Sequence, residues 1–376
     1  MKSKLNFVNI KLKSIKQENL YRELREGIVK GPFITINKKK LLNLCSNDYL
    51  GLPVTKLAVK QIQSSSRLVS GNDSSFKILE TKLAKHKSQE QGLVFPTGYM
   101  ANLGSITSII QKGDLILSDE RNHASIIEGC RLSGAKISVY KHNDIEDLNQ
   151  KLRSKEKRKF IITEGIFSMD GDFANLKQIV EIAQKNNAIT ILDDAHGDFV
   201  IGNDGKGTPN HFGVSKKIDL YISSLSKGLG SFGGYIASQK NVIDLCINRS
   251  KSFIYTSALP SFLVEFSLKR FESNRKKQQE KLWKNVRHLI TGLRQLGYQI
   301  NSETHIIPII IGSEKNALTF GKFLFYKGIY AQPIRYPTVK RNKARIRISV
   351  SAWLSKNQID DAIDVFEAAG KKFDII

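Results

Sequence analysis

The feature that most constrains the fold is an alternation of short apolar segments and helix-like segments between about residues 90 and 240. The apolar segments have the length of strands and are separated by turns and by stretches with helical periodicity. Strand, turn and helix in this order predict an α/β fold, in which a mostly parallel sheet is flanked by helices. The segments are GLVFPTGY, GDLILSDE, AKISVYKHND, RKFIITEGIFSMDGD, AITILDDAHGD, IDLYISSLSKG and GGYIAS.

The remainder of the chain predicts two further regions around this domain. We expect an N-terminal arm over residues 1–45, the large α/β domain over 46–259, and a linker helix with a small α+β domain over 260–376. The linker is one helical pattern from Pro260 to about Leu296, and the glycine that follows is a typical helix stop.

The charge and the cysteines limit the partners and the compartment. Lysine and arginine number 59 against 35 acidic residues, a net charge of +24, but the cations are scattered and no nucleic-acid-binding motif accompanies them. We therefore expect no nucleic-acid partner, and an anionic cofactor or carrier instead. Three widely spaced cysteines favour a reducing cytoplasm, and without an apolar run of roughly 18 residues we expect no membrane segment.

The segment SSLSKGLG places Lys227 where an apolar strand ends. A lysine has an ordinary pKa of about 10.4, and becomes a nucleophile when a cleft desolvates its amine. Such lysines form Schiff bases with carbonyl compounds, including pyridoxal phosphate. Taken alone, Lys227 is more typical of a surface lysine at a strand end than of a Schiff-base former, and Ser224-x-x-Lys227 also has the spacing of an acyl-serine hydrolase.

Asp193 and His196 follow another apolar strand, in ILDDAHGD. A carboxylate there can pair with a protonated pyridine nitrogen, and the imidazole can bond a phenolic oxygen. A structural hydrogen-bonded pair, or a metal hydrolase that also uses His123, remains open from these residues alone. In PTGYMAN, Thr97 and Gly98 precede a predicted helix, whose N-terminus suits a phosphate.

Eight motifs in order resemble the α-oxoamine synthases, which are pyridoxal-phosphate enzymes of fold type I. The resemblance covers roughly residues 20–365, and it implies a seven-stranded sheet, a homodimer, and condensation of an amino acid with an acyl thioester with loss of carbon dioxide. The motifs are LCSNDYLGL, RNHASIIEG, HND, ITEGIFSMDGD, LDDAHG, SLSKGLG, YTSALP and PTV…ARIRIS.

The resemblance also implies a role for individual residues. Lys227 would hold pyridoxal 5'-phosphate covalently and move the proton at the substrate's α-carbon, while Asp193 would face the pyridine nitrogen. Arg347, on a strand where Arg345 shares its face, would bind the amino acid's carboxylate, although the pair alone would fit an exposed cationic stripe. The other implied residues are His196 and Ser168 near the phenolic oxygen, His123 stacked on the ring, Thr97, Gly98, Tyr99 and Ser224 around the phosphate or ring, Thr256 and Ser257 from a second subunit, and Asn47 near the acyl group.

Within the family, TEGIFSMDGD, DDAHG and IRYPTV are most similar to the members that act in biotin biosynthesis. That similarity implies L-alanine as the amino acid and pimeloyl-CoA or pimeloyl-acyl carrier protein as the acyl donor. Sister members that use glycine are the alternative.

Three positions depart from the family pattern. Gln63, Ser64, Ser65 and Ser66 stand where a glycine-rich turn is usual, Trp353 replaces a frequent histidine, and TSALPS has one proline instead of two. Because serine restricts φ where glycine does not, we expect the loop before Arg67 to differ in shape from that of the family.

Overall fold

The computed structural model describes residues 4–53 and 61–376, so the first three residues of the predicted arm lie outside the described residues. The chain forms two compact units. The larger unit comprises residues 47–168 and 172–280, and the smaller comprises residues 1–46, 169–171 and 281–376.

The larger unit is built on a sheet in the order β4-β10-β9-β8-β7-β5-β6. β10 runs antiparallel to both of its neighbours, and the remaining pairs are parallel. The predicted mostly parallel, seven-stranded sheet is therefore confirmed. The strands are β4 (Gln91–Phe95), β5 (Leu115–Asp119), β6 (Lys136–Tyr140), β7 (Lys159–Glu164), β8 (Ile189–Asp193), β9 (Leu220–Ser224) and β10 (Gly234–Ser238).

Both faces of this sheet are buried, as alternate residues of single strands show. On β5, Ile116 belongs to one apolar cluster, whereas Leu115 and Leu117 belong to a second. Because successive side chains of a strand point to opposite faces, the two clusters lie on opposite sides of the sheet. Helices cover them: α2 (Ser74–Lys87), α3 (Gly98–Ile109), α4 (Ala124–Ser133), α5 (Ile145–Lys151), α6 (Leu176–Lys185), α7 (Thr208–His211), α8 (Lys240–Arg249), α9 (Lys251–Ile254) and α10 (Ser261–Glu272).

The smaller unit contains two sheets, in the orders β1-β2-β3-β12 and β11-β14-β13. Ser313 and Ser355 cap its last two helices, each accepting from the backbone N–H three residues later. Its elements are α1 (Asn6–Gln17), β1 (Ile28–Lys30), β2 (Phe33–Ile36), β3 (Lys39–Asn43), most of α11 (Arg275–Gln295), β11 (Ile306–Gly312), α12 (Glu314–Tyr326), β12 (Ile329–Tyr330), β13 (Pro333–Ile334), β14 (Ala344–Ser349) and α13 (Lys356–Lys372).

The linker differs from the single helix that its sequence pattern predicts. Ser273 adopts an extended backbone with ψ 162°, which separates α10 from α11. Its hydroxyl donates to the carbonyl of Arg270 at 2.6 Å, and such local bonds compete with helix continuation. The predicted stop after α11 is correct, since Gly297 has φ +101° and the N–H of Tyr298 bonds the carbonyl of Leu293.

None of the described helices is long and apolar enough to cross a membrane.

Candidate active site

The candidate site is centred on the ends of β8 and β9, which are adjacent parallel strands. The carboxyl ends of parallel strands share one edge of a sheet, so the turns that follow them bring their side chains together. Asp193 is the last residue of β8, and His196 lies in the turn behind it. Lys227 lies in the turn that follows β9. Nζ of half-buried Lys227 is 2.9 Å from Nε2 of His196.

A tyrosine holds His196 from its other side. Nδ1 of His196 is 2.8 Å from the hydroxyl of Tyr49, which donates to Oδ1 of Asn47 at 3.0 Å. Tyr49 is fully buried. Its role was not predicted, although it lies two residues after Asn47 in the quoted motif LCSNDYLGL.

Asp193 is held by two donors. Oδ1 accepts from the backbone N–H of Ala195 at 2.9 Å, and Oδ2 accepts from Nδ2 of Asn102 at 2.6 Å. The same Asn102 amide donates to Oγ of Ser125, which lies 2.7 Å from Nδ1 of His123. Asn102 was missed at the sequence level, although it belongs to the quoted PTGYMAN. His123 is the N-cap of α4.

Glu164 is a second buried carboxyl beside Asp193, opposite it in the register of β7 and β8. Burial raises the pKa of Glu164 well above its usual range, the charge of Asp193 raises it further, and Lys227 opposes both. Among the described residues, Oε1 of Glu164 has no hydrogen-bond partner. Sequence analysis missed this residue because its burial beside a second carboxylate is a tertiary feature.

The predicted phosphate site lies at the N-terminus of α3. Thr97 caps this helix by accepting from the N–H of Met100, so the N–H groups of Gly98 and Tyr99 lie in the first turn, outside the helical ladder. A Cβ on Gly98 would lie 3.1 Å from Cβ of Ser224, at the end of β9. Thr97 and Gly98 therefore lie beside the end of β9 at Ser224. Tyr99 is 40% exposed and its hydroxyl donates to Glu128.

The other predicted residues have fewer described contacts. Ser168 is half-buried, four residues beyond the end of β7. Thr256 and exposed Ser257 belong to a segment whose described contacts are with the loop at Ser65, which accepts from the N–H of Ala258. Arg347 lies on β14 of the smaller unit, where Nη1 donates to Oγ of Ser349 at 2.7 Å.

Two sequence-level alternatives receive no support from these contacts. The Ser224 hydroxyl bonds Ser226 and the carbonyl of Gly233. Neither contact is the serine–lysine bond that an acyl-serine hydrolase would need. Among the residues that the structure describes, no group of three histidine, cysteine, aspartate or glutamate side chains could hold a metal ion.

The serine-rich loop shows no backbone strain from its departure from the family pattern. Ser64, Ser65 and Ser66 all lie outside the left-handed φ region. Serine therefore replaces glycine at no conformational cost in this loop.

A cavity of about 1130 Å³ lies within the smaller unit, against residues 21–26, 36–37, 330–333 and 335 and one face of α12. Its described lining contains no histidine, cysteine or aspartate, so we assign the chemistry to the Lys227 cluster and not to this cavity.

Three observations show that the Lys227 cluster fits pyridoxal phosphate. The Lys227 amine can react with an aldehyde, and the carboxylate of Asp193 can pair with a pyridinium nitrogen. The N-terminus of α3 can bind a phosphate. Gly98 and Gly234 approach so closely that a Cβ on Gly234 would lie 2.5 Å from Cα of Gly98, and thus the backbone beside the phosphate site is free of side chains. Buried Oδ1 of Asn102 has no partner among the described residues.

Comparison with known proteins supports this assignment. Residues 39–366 match the family model for aminotransferase class I and II. The chain is 42% identical over 389 residues to 8-amino-7-oxononanoate synthase from Thermoanaerobacter pseudethanolicus, covering 99% of this chain and 98% of the relative. It is 36% identical to 8-amino-7-oxononanoate synthase 1 from Bacillus subtilis, with both chains fully covered.

A solved structure is similar over nearly its whole length. Serine palmitoyltransferase from S. paucimobilis with bound PLP-myriocin aldimine superposes with a TM-score of 0.91, at 26% identity and 99% coverage of both chains. Pyridoxal phosphate is accordingly the cofactor that the comparisons support. The chain belongs to the aminotransferase class I and II family and, within it, to the α-oxoamine synthases.

Proposed function

We propose that this enzyme condenses L-alanine with a pimeloyl thioester, giving 8-amino-7-oxononanoate, carbon dioxide and the free thiol, as a step of biotin biosynthesis. The 2.9 Å contact of Lys227 with His196, beside the held carboxylate of Asp193, carries the proposal. The names of the relatives support the choice of substrates.

Each part of the cofactor has a counterpart in the cluster. Lys227 would bind it covalently, Asp193 would face its pyridine nitrogen, and the N-terminus of α3 with Thr97, Gly98, Tyr99 and Ser224 would hold its phosphate and ring edge. His123 would cover one face of the ring, with His196 and Ser168 near the phenolic oxygen. When bound, pyridoxal phosphate supplies an electron sink for negative charge at the α-carbon of an amino acid.

The protein groups then have defined tasks. The Lys227 amine, set free when the amino group of alanine takes its place, would remove the α-proton of alanine, and His196 would orient that amine through Nε2. The α-carbon forms a bond to the thioester carbonyl, and the carbon–sulfur bond breaks to release the thiolate, which takes a proton from solvent. The carboxylate leaves as carbon dioxide, and Lys227 returns a proton to the same carbon.

Arg347, the arginine to which the resemblance assigns the substrate carboxylate, would bind that group. Both Arg345 and Arg347 are buried, so they do not form an exposed stripe. Arg345 is occupied by an ion pair, with Nη1 at 2.7 Å from Oδ1 of Asp170. Arg347 bonds the neutral hydroxyl of Ser349, and a guanidinium can bind a carboxylate through two parallel hydrogen bonds.

The acyl carrier would be coenzyme A or acyl carrier protein. Both are anionic, and the net charge of +24 favours the approach of either. Asn47, which accepts from Tyr49 beside His196, would help to position the acyl group.

The active form would be a homodimer in which each subunit supplies Thr256 and Ser257 to the other's site. The exposure of Ser257 and Tyr255 in this segment supports the proposal. A hybrid dimer of a Lys227→Ala subunit and a Thr256→Ala, Ser257→Ala subunit retains one intact site. Activity in the mixture, with none in either parent, is expected, and an active monomer in sedimentation would contradict the shared site.

The free thiols support a reducing compartment such as the cytoplasm. Cys45, Cys130 and Cys246 are all unpaired, and Cys130 and Cys246 are buried.

Product analysis with competing amino acids tests the substrates. The purified enzyme, loaded with pyridoxal phosphate, is given pimeloyl-CoA with alanine, glycine or serine, and product and released thiol are measured. We expect 8-amino-7-oxononanoate with alanine at the highest kcat/KM. The same assay is repeated with a shorter acyl thioester. A higher kcat/KM for glycine with that thioester would indicate a sister activity, such as glycine C-acetyltransferase or 5-aminolevulinate synthase.

A further inference from the structure

A second cluster of charged groups is buried behind the active-site turn. It consists of Lys87, Asp194, Asp198, Ser223 and Tyr235, and we call it the Asp198 cluster. The Lys87 side chain is shielded from solvent at the end of α2, with Nζ 2.5 Å from Oδ1 of Asp198 and 3.6 Å from Oδ2 of Asp194. Desolvating two charges costs about as much as their attraction returns, so a buried pair adds little stability compared with apolar packing.

The Asp198 carboxylate joins three elements of the larger unit. Oδ2 accepts from Oγ of Ser223 on β9 at 2.8 Å and from the hydroxyl of Tyr235 on β10. Oδ1 faces Lys87 on α2. These three partners of the carboxylate, one charged and two neutral, are all buried.

The cluster is connected to both reactive side chains through the backbone. Asp198 is two residues beyond His196, in a turn closed by the N–H groups of Gly197 and Asp198, which both bond the carbonyl of Asp194. Gly228 follows Lys227, and a Cβ on Gly228 would lie 2.5 Å from the carbonyl oxygen of Asp198. The backbone beside His196 and the backbone beside Lys227 therefore meet at Asp198.

A strained residue lies at the same place. Phe199 has φ +65°, a conformation that bulky side chains rarely adopt. Its N–H lies 3.1 Å from the Asp198 carboxylate, and its ring stacks on His86 with centroids 5.2 Å apart. Strained backbone persists where surrounding contacts over-determine it, and it is concentrated at functional sites.

The two carboxylates of the cluster have pKa values shifted in opposite directions. Burial would raise the pKa of Asp198, but Lys87 and the hydrogen bond with His86 outweigh it and hold the pKa below its usual range. Burial raises the pKa of Asp194 to about 7, with Lys87 opposing. Asp194 also accepts twice from Thr208, which fixes the start of the turn. Asp198 is therefore the counter-ion of Lys87.

We propose that Lys87 and Asp198 are positioning residues that set the distance between His196 and Lys227, through the turn after β8 and the end of β9. The proposal rests on the assignment of Lys227 and His196 to the cofactor site, but not on the identity of either substrate. A displacement of reacting groups by about 1 Å can lower a rate on the order of a hundredfold.

Two single variants, Asp198→Asn and Lys87→Met, test the proposal with readouts on the cofactor itself. The readouts are the dissociation constant of pyridoxal phosphate and the pH midpoint of its visible absorption change in the loaded protein. We expect a cofactor affinity about tenfold weaker, the size typical of removing a group that orients a binding side chain, and a displaced midpoint in both variants. Asp114→Asn is the matched control, since buried Asp114 pairs with Arg158 at 2.7 Å before β5, at the opposite edge of the sheet. It should lower the Tm and leave the affinity and the midpoint unchanged.

The double variant Lys87→Met, Asp198→Asn separates positioning from stability. With both charges replaced, no uncompensated charge stays buried, so the Tm should recover relative to the single variants. The displaced midpoint should persist if the pair positions His196 and Lys227. A double variant with wild-type affinity and midpoint would overturn the proposal. Neither readout involves alanine or an acyl thioester, so this outcome is distinct from an incorrect substrate.

Discussion

Nζ of Lys227 lies 2.9 Å from Nε2 of His196, and the other ring nitrogen of His196 lies 2.8 Å from the hydroxyl of Tyr49. The Tyr49 hydroxyl has one proton, which it donates to Asn47. Its oxygen therefore accepts from Nδ1–H of His196, and this leaves the Nε2 lone pair directed at the lysine amine. The tyrosine thus selects the histidine tautomer that can accept a hydrogen bond from Lys227.

Removal of the Tyr49 hydroxyl should impair catalysis while preserving the fold. Tyr49→Phe removes the bonds of this hydroxyl with both Asn47 and His196. The bond with His196 is worth about 1 kcal/mol, so we expect kcat to fall roughly five- to tenfold. Steady-state kinetics with a melting curve checks this. Tyr298→Phe is the control, because it removes a buried hydroxyl that donates to the carbonyl of Phe366 in the smaller unit. Equal kcat values in the two variants would count against the tautomer argument.

Asn102→Ala should weaken cofactor binding. The Asn102 amide donates to the charged Oδ2 of Asp193 at 2.6 Å, and bonds to charged groups contribute about 1.5–3 kcal/mol. That range predicts a loss of cofactor affinity on the order of ten- to a hundredfold, measured by titrating the apoprotein with pyridoxal phosphate. Asn285→Ala, which removes a buried amide that donates to Ser351 and Leu354 in the smaller unit, should leave the affinity unchanged. Wild-type affinity in Asn102→Ala would refute the role of this amide.

The free energy of unfolding should fall at alkaline pH, because His142 then loses its proton. Burial alone would lower the pKa of His142, but its hydrogen bonds with Asp119 and Asp172 raise it to about 9. Because the folded pKa exceeds the unfolded value of about 6.5, the stabilisation is full below pH 6.5 and is lost as the pH rises through 9. Urea unfolding from pH 6 to pH 10 should show this decline, and His142→Gln should flatten it. If the stability of His142→Gln declined by the same amount, other titrating groups would be the cause of the decline.

The thiols should react slowly in the native protein. Burial raises the pKa of Cys45, Cys130 and Cys246 to about 12 each, so little thiolate exists at pH 8. A chromogenic disulfide reagent should detect three thiols at once in denaturant and almost none in the folded protein over the same minutes. Rapid reaction of one native thiol that disappears in Cys45→Ser would show that the contacts of Cys45 with Tyr330 and Gln332 do not protect it.

The sequence predicts the reactive side chains of this site better than the contacts that hold them in place. Lys227, Asp193 and His196 each follow an apolar strand, and adjacent parallel strands necessarily end at one edge, so their convergence was predictable. Asn102 and Tyr49 were not assigned roles, because their partners lie far away in the chain.

Charged residues in regular elements were the hardest to interpret. Lys87 ends a helix among other cations, a pattern typical of a solvated face, yet it is buried because Asp194 and Asp198 approach from a distant turn. Arg345 and Arg347 alternate on a strand in the manner of an exposed stripe. They are buried because β14 lies between β11 and β13, the central position of its sheet.

The central claim is that Lys227 is the residue that binds the cofactor, and reduction of the loaded protein tests it most directly. Borohydride fixes pyridoxal phosphate to the amine that holds it, and peptide mapping by mass spectrometry then identifies the labelled lysine. We predict a single stoichiometric label on Lys227 and its absence in Lys227→Ala, with exposed Lys216→Ala labelled like the wild type. A stoichiometric label on another lysine, or none after incubation with the cofactor, would contradict the account.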